Sequence, residues 1–204
     1  MEISKDAMTW NLGDTSFRRK ALIHDYIILL QELYELNNIN MEWNEVTQSQ
    51  YYFAVRKNKG INISSKENDP EKTAKMGRTF TSGLFKLGFC NKKRELSEIG
   101  LQLLGYKDVK LDNIEKRLGL KKDNIIFLRQ LLKLEICNKG SQNAFKPFIF
   151  LIKLLNKYGS LTKEEFEAII QLSSCKVDFE KVINEFYKVK NNEKTLDEFF
   201  EEYI

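Results

Sequence analysis

Apolar residues return at helical spacing from the start of the chain. Phe17, Ala21, Ile27, Leu30, Leu33 and Tyr34 fall on one stripe, which predicts a long first helix. Asp14 or Thr15 can cap it by accepting from the first free backbone N–H groups. "MEWNEVTQSQYYFAVRKNKGI" predicts a second helix that stops near Gly60, and "NISSKENDPEK" is a polar connector whose Pro70 suits the first turn of a third. That third helix divides cleanly. Met76, Phe80, Leu84 and Leu87 lie on one face, and Lys75, Arg78, Thr79, Ser82 and Lys86 on the other. Gly88 is placed to end it in a left-handed conformation. "FCNKKREL" then fits a short hairpin with Asn91 to Arg94 at its tip, and Ser97 caps a helix restart. Helix, basic hairpin, helix is the layout of a winged helix-turn-helix.

The second half continues in helices. "LDNIEKRLG" and "KDNIIFLRQLLKLEI" come first, then "KPFIFLIKLLNKYG", with Pro147 in its first turn and Gly159 as its stop. Thr162 with Glu165, and Thr195 with Glu198, have the spacing of capping boxes. The predicted fold is mostly α, with winged helix-turn-helix-like subdomains and one short β-hairpin wing. A recognition-like subdomain is expected over 1–106. A helical, second helix-turn-helix-like subdomain with an acidic exposed face is expected over 107–204.

Charge changes this picture more than composition does. The 204 residues carry a net charge of +4, are 42% hydrophobic and hold only two prolines and ten glycines, which suits a helical globular chain. The balance is uneven. Residues 160–204 hold 6 lysines against 11 acids, whereas Arg56 to Arg94 holds 11 basic residues against 3 acids. Such a concentration faces either solvent or a polyanion, of which nucleic acid is the usual one. No apolar run reaches the ~18 residues of a membrane span, and "MEISKDAMTW" is not a signal peptide, so a cytoplasmic protein is expected. Cys90, Cys137 and Cys175 have neither zinc nor disulfide-framework spacing and read as free thiols.

The sequence excludes more chemistry than it offers. The one histidine, His24, sits within the first helix and reads as structural rather than catalytic. There is no P-loop, no G-x-G-x-x-G and no His/Cys metal cluster. A PD-(D/E)XK nuclease holds an acid and a lysine two positions apart on a strand. Asp108-Val109-Lys110 has that spacing but falls in a connection between helices. These residues therefore offer a binding surface rather than an evident catalytic centre. Lysine and arginine neutralise phosphates, and Arg78, Thr79 and Ser82 share a helix face that can reach base edges in a major groove.

Two stretches carry a resemblance. "TWNLGDTSFRRKALIHDYIILLQEL" resembles the opening of AlwI-type restriction endonucleases and related nicking endonucleases: a tryptophan, a short Thr/Ser-x-Arg segment, then a helix. Here these are Trp10, Thr15, Ser16 and Arg18. "GRTFTSGLFKLGFCNKKRELSEIGLQLL", with "NAFKPFIFLIKLLNKYGSLTKEEFEAIIQL", is similar to the family's Thr/Arg-containing helix, its "GF" before a hairpin, its helix restart and its later helix pair. The resemblance implies sequence-specific recognition of a short asymmetric site in double-stranded DNA by a monomer. It also implies cleavage by a separate, FokI-like PD-(D/E)XK domain. Mg²⁺ is expected only for that domain, which would be covalently attached or a separate partner, and no cofactor is expected in this chain. The expected DNA contacts are Thr15, Ser16, Arg18, Arg19 and Lys20 at the first helix, Arg56 and Lys57, then Lys75, Arg78, Thr79, Ser82 and Lys86, and Lys92, Lys93 and Arg94 on the wing. A winged-helix transcriptional regulator, which would bind a symmetric operator as a dimer, and a helical protein-interaction adaptor are the alternatives.

Overall fold

The computed structural model describes residues 21–39, 42–63, 66–135, 146–171 and 178–202. These fold into eleven helices and fall into two units, Leu12–Leu131 and Leu132–Ile204.

In the first unit, α1 (Leu22–Asn38) turns Tyr26, Leu29, Leu30 and Leu33 into the core. Its expected cap at Asp14 or Thr15 lies outside the described residues. His24 is exposed on this helix rather than packed among the apolar side chains. The next helix, α2 (Glu45–Lys57), is started by a capping box: the Asn44 side chain accepts from the Thr47 backbone N–H, and Thr47 accepts from that of Asn44. It buries Tyr51, Tyr52 and Val55. The third, α3 (Pro70–Lys86), starts as its sequence predicts, with Pro70 in the first turn and Asp69 accepting from the N–H groups of Glu71 and Lys72.

Phe80, Leu84 and Leu87 are buried as expected. The inner face of α3 nevertheless owes as much to small residues. Thr73, Ala74, Gly77, Thr81 and Gly83 are buried there too. A Cβ on Gly77 would stand 2.1 Å from the Gln48 carbonyl oxygen of α2, and one on Gly83 would stand 2.1 Å from the Tyr26 hydroxyl of α1. Glycine at position 77 lets α2 and α3 approach backbone to backbone, and at position 83 it lets the Tyr26 side chain lie against the backbone of α3.

The helix stops where its glycine predicts. Gly88 has φ +74°, its N–H donates to the Phe85 carbonyl, and that of Phe89 donates to the Leu84 carbonyl. This is the Schellman pattern, which satisfies two terminal carbonyls. The hairpin expected next is shorter than a wing of two strands. One antiparallel bridge joins Cys90 and Leu96, and there is no strand among the described residues. Fewer than ten residues separate Gly88 from α4 (Glu98–Leu103), too few for two strands of the usual ~5–6 residues and a turn. The loop is closed instead by local bonds. The Asn91 N–H donates to the Glu95 carbonyl, the Asn91 side chain bonds Glu95, and the Ser97 hydroxyl donates to the Gly88 carbonyl.

Two further helices, α5 (Asn113–Arg117) and α6 (Lys122–Lys133), complete this unit. Ile126 and Phe127 of α6 are buried in the same core as Leu29, Tyr52 and Leu84. This unit therefore runs on to Leu131 and takes in α5 and most of α6. Arg129 of α6 grips Glu115 of α5 through two bonds of 2.5 Å.

The second unit packs α7 (Pro147–Tyr158), α8 (Lys163–Gln171), α9 (Phe179–Glu185), α10 (Tyr187–Lys190) and α11 (Leu196–Glu201) around Phe150, Leu154, Ile169, Val182, Phe186 and Phe199. Both capping boxes form as spaced. The Thr162 N–H donates to Glu165, which returns its own N–H to the Thr162 hydroxyl, and Thr195 and Glu198 do the same. Glu165 has a second task that its spacing does not reveal. It is buried, and its carboxylate accepts from Lys190 at 2.6 Å. Gly159 ends α7 at φ +77°.

Candidate nucleic-acid interface

The outward stripe of α3 is where the helical spacing places it. Lys75 and Arg78 are exposed, and Thr79, Ser82 and Lys86 are half-buried along its margin. Thr79 donates its hydroxyl to the Lys75 carbonyl, which fixes its rotamer on the helix. Partial burial pulls the Lys86 ammonium below its ordinary pKa, because removing water disfavours the charged form. Arg78 is not a loose side chain. One of its terminal N–H groups donates to the Gln48 amide oxygen on α2 at 2.6 Å.

The loop after α3 separates its three cations. Lys92 and Lys93 are exposed at the tip, and no hydrogen bond or ion pair among the described residues engages their ammonium groups. Arg94 turns the other way. Its backbone sits at φ +65°, and its Nε donates to the buried Thr81 hydroxyl at 2.9 Å. Its guanidinium lies 5.0 Å from the Phe85 ring centroid and 5.7 Å from that of Trp43. The Asn37 side chain of α1 donates to the Arg94 carbonyl. Desolvation lowers the arginine's pKa from its ordinary value. Arg94 thus seats the loop on α3 and leaves the two lysines outward.

Arg56 is also engaged, donating to the Glu67 carbonyl and the Asn68 side chain across the α2–α3 connection, while Lys57 is exposed beside it. Thr15, Ser16, Arg18, Arg19 and Lys20 lie outside the described residues. Gln48, Trp43 and Thr81 were not legible as parts of this surface. Each reaches it through a contact with a residue distant in sequence, and no local pattern marks such a contact.

This arrangement gathers positive charge on the α3 face and the loop after it. Among the described residues no group of three His, Cys, Asp or Glu side chains could hold a metal ion. Asp108 and Lys110 lie exposed in the loop between α4 and α5, where their carbonyls accept from Gln102 and Arg129. The described residues do not fit a Mg²⁺ centre. No described helix is long and apolar enough to cross a membrane.

The family model described as AlwI restriction endonuclease matches residues 85–204. Neither a curated protein nor a solved structure matches the chain. The match begins at Phe85, so it takes in the end of α3, the basic loop and every later described helix, including α7 to α11 of the second unit. A restriction enzyme is a DNA hydrolase of restriction–modification, and DNA is the partner that this family implies. With more than half its length in that match, the chain belongs to the AlwI restriction endonuclease family.

Proposed function

We propose that this chain provides sequence-specific recognition of double-stranded DNA for a type IIS-like restriction endonuclease. The recognition helix is α3, with Lys75, Arg78, Thr79, Ser82 and Lys86 toward the groove. The loop carrying Lys92 and Lys93 acts as a minimal wing against the backbone. Three helices followed by a bridged basic loop support this layout. The observation that carries it is the exposed pair Lys92 and Lys93 on a loop that Arg94 seats against that helix. Thr15, Ser16, Arg18, Arg19, Lys20 and Lys57 add contacts at the flanks. The bound form is a monomer on an asymmetric site, and Mg²⁺-dependent cleavage belongs to a PD-(D/E)XK domain outside the described residues.

Selection from a random duplex pool tests this. One short asymmetric motif should be enriched. Each phosphate contact contributes ~0.9 to the slope of log affinity against log salt, so Lys92→Ala/Lys93→Ala should flatten that slope by about 2 without changing the selected motif. Failure to enrich any motif at low salt, or an unchanged slope in the double variant, overturns the assignment.

A further inference from the structure

We propose that Gln48 is a positioning residue for base reading by Arg78, an inference that rests on α3 being the recognition helix. Arg78 projects from the margin of the exposed stripe beside α2, where its guanidinium meets one acceptor, the Gln48 amide oxygen at 2.6 Å. Gln48 is only 6% exposed. Its own backbone is pinned, because its carbonyl fills the space that a side chain on Gly77 would need. The acceptor is therefore set by the α2–α3 crossing itself and moves only if two helices move.

A guanidinium is a planar fork of five donors. One bond to a fixed oxygen removes most of its rotational freedom and selects its plane. The remaining N–H groups, which no other acceptor among the described residues takes, are left on the outward edge. Such an edge matches the paired O6 and N7 acceptors of guanine in a major groove, the commonest specific contact to a base. The chemistry of the buttress matters. A neutral amide orients the arginine and leaves its positive charge intact, whereas a carboxylate at position 48 would orient it and cancel the charge. A buried aliphatic residue would leave it unheld.

The test uses the full chain and the duplex selected by it, with each base pair substituted in turn, over a series of salt concentrations. Gln48→Leu should lower discrimination at one G·C pair by about tenfold, part of what a bidentate arginine–guanine contact provides, with affinity for unrelated duplex and its salt slope unchanged. Gln48→Glu should keep the discrimination and flatten the salt slope by about 1. In an Arg78→Ala background Gln48→Leu should do nothing further at that pair. Full discrimination in Gln48→Leu, or the same loss with and without Arg78, overturns the proposal while the recognition helix stands. Arg78→Ala with no effect at any base pair overturns the recognition helix, and this inference with it. If Gln48→Leu does not fold, Gln48→Glu decides, since loss of discrimination there refutes positioning by the amide.

Discussion

Arg94 offers a direct contest between a phosphate contact and a structural clamp. Replacing it with alanine removes a charge-assisted bond to Thr81, worth about 1.5–3 kcal/mol. It also removes two cation–π contacts, at 5.0 Å to Phe85 and 5.7 Å to Trp43, each worth about 0.5–1 kcal/mol at half-exposed sites. The contacts from its terminal nitrogen to the Asn91 and Lys92 carbonyls, at 3.4 and 3.3 Å, are too long to add much. Thr81 is not orphaned, because its hydroxyl still reaches the Gly77 carbonyl at 3.1 Å. Against the loss stands the rotamer freedom the arginine gave up, about 1–2 kcal/mol. The net expectation for Arg94→Ala is about 2–3 kcal/mol of destabilisation, read by urea unfolding followed by circular dichroism. Arg94→Gly should lose about 1 kcal/mol less than alanine, since φ +65° strains any residue with a Cβ. A phosphate contact predicts the reverse pattern: unchanged stability and a salt slope flatter by ~0.9. Stability within about 0.5 kcal/mol of wild type in Arg94→Ala would refute the clamp, and equal stability of the alanine and glycine variants would refute the backbone strain.

Two other perturbations read the scaffold. Gly77→Ala should destabilise by at least about 2 kcal/mol in the same unfolding assay, because its Cβ meets backbone rather than a side chain that can swing away; helix propensity alone predicts stabilisation by about 1 kcal/mol, so the sign decides which effect wins. Glu115 is held down to a pKa of about 2, first by its bonds from Arg129 and then by the Asp112 backbone N–H. A carboxyl depressed in the folded state lends stability that is complete above its ordinary value near about 4.3 and is lost as pH falls through about 2. Carboxyl titration by NMR should place Glu115 near that low value and show it rising in Arg129→Gln, and the stability gap between the two proteins should close only over that acid window.

Local signals in the sequence located the local structure. Pro70, Ser97, the two threonine–glutamate boxes, Gly88 and Gly159 all sit within a turn of the groups they satisfy, so spacing alone exposes them. Reading the thiols as free and buried fits Cys90, whose burial pushes it up to about 12 with Arg94 opposing; Cys137 and Cys175 lie outside the described residues. What spacing missed was set by partners far along the chain. A hydrophobic stripe names Phe80 and Leu84 as the inner face of α3. It says nothing of Gly77 and Thr81, whose burial follows from how close α2 and the basic loop come. The extent of the first unit has a related reason. The break after α4 reads as a linker, yet Ile126 and Phe127 complete the first core from twenty residues beyond it.

Charge is where composition and structure part most usefully. From Arg56 to Arg94 the chain gathers eleven cations, and counted together they describe one basic patch. Folded, the arginines part from most of the lysines. All three arginines of the segment donate to protein acceptors: Arg56 to the Glu67 carbonyl, Arg78 to Gln48 and Arg94 to Thr81. Lys57, Lys75, Lys92 and Lys93 stand exposed. The division follows from the side chains. A planar fork of five donors can bond the protein on one edge and keep another outward, whereas an ammonium group on a flexible stem works as a point charge wherever water leaves it. On the proposed reading of this surface as a DNA interface, affinity and specificity are therefore separable. Lysine substitutions should shift the salt dependence, and arginine substitutions should shift stability or base preference, according to which edge of the guanidinium the fold has left free.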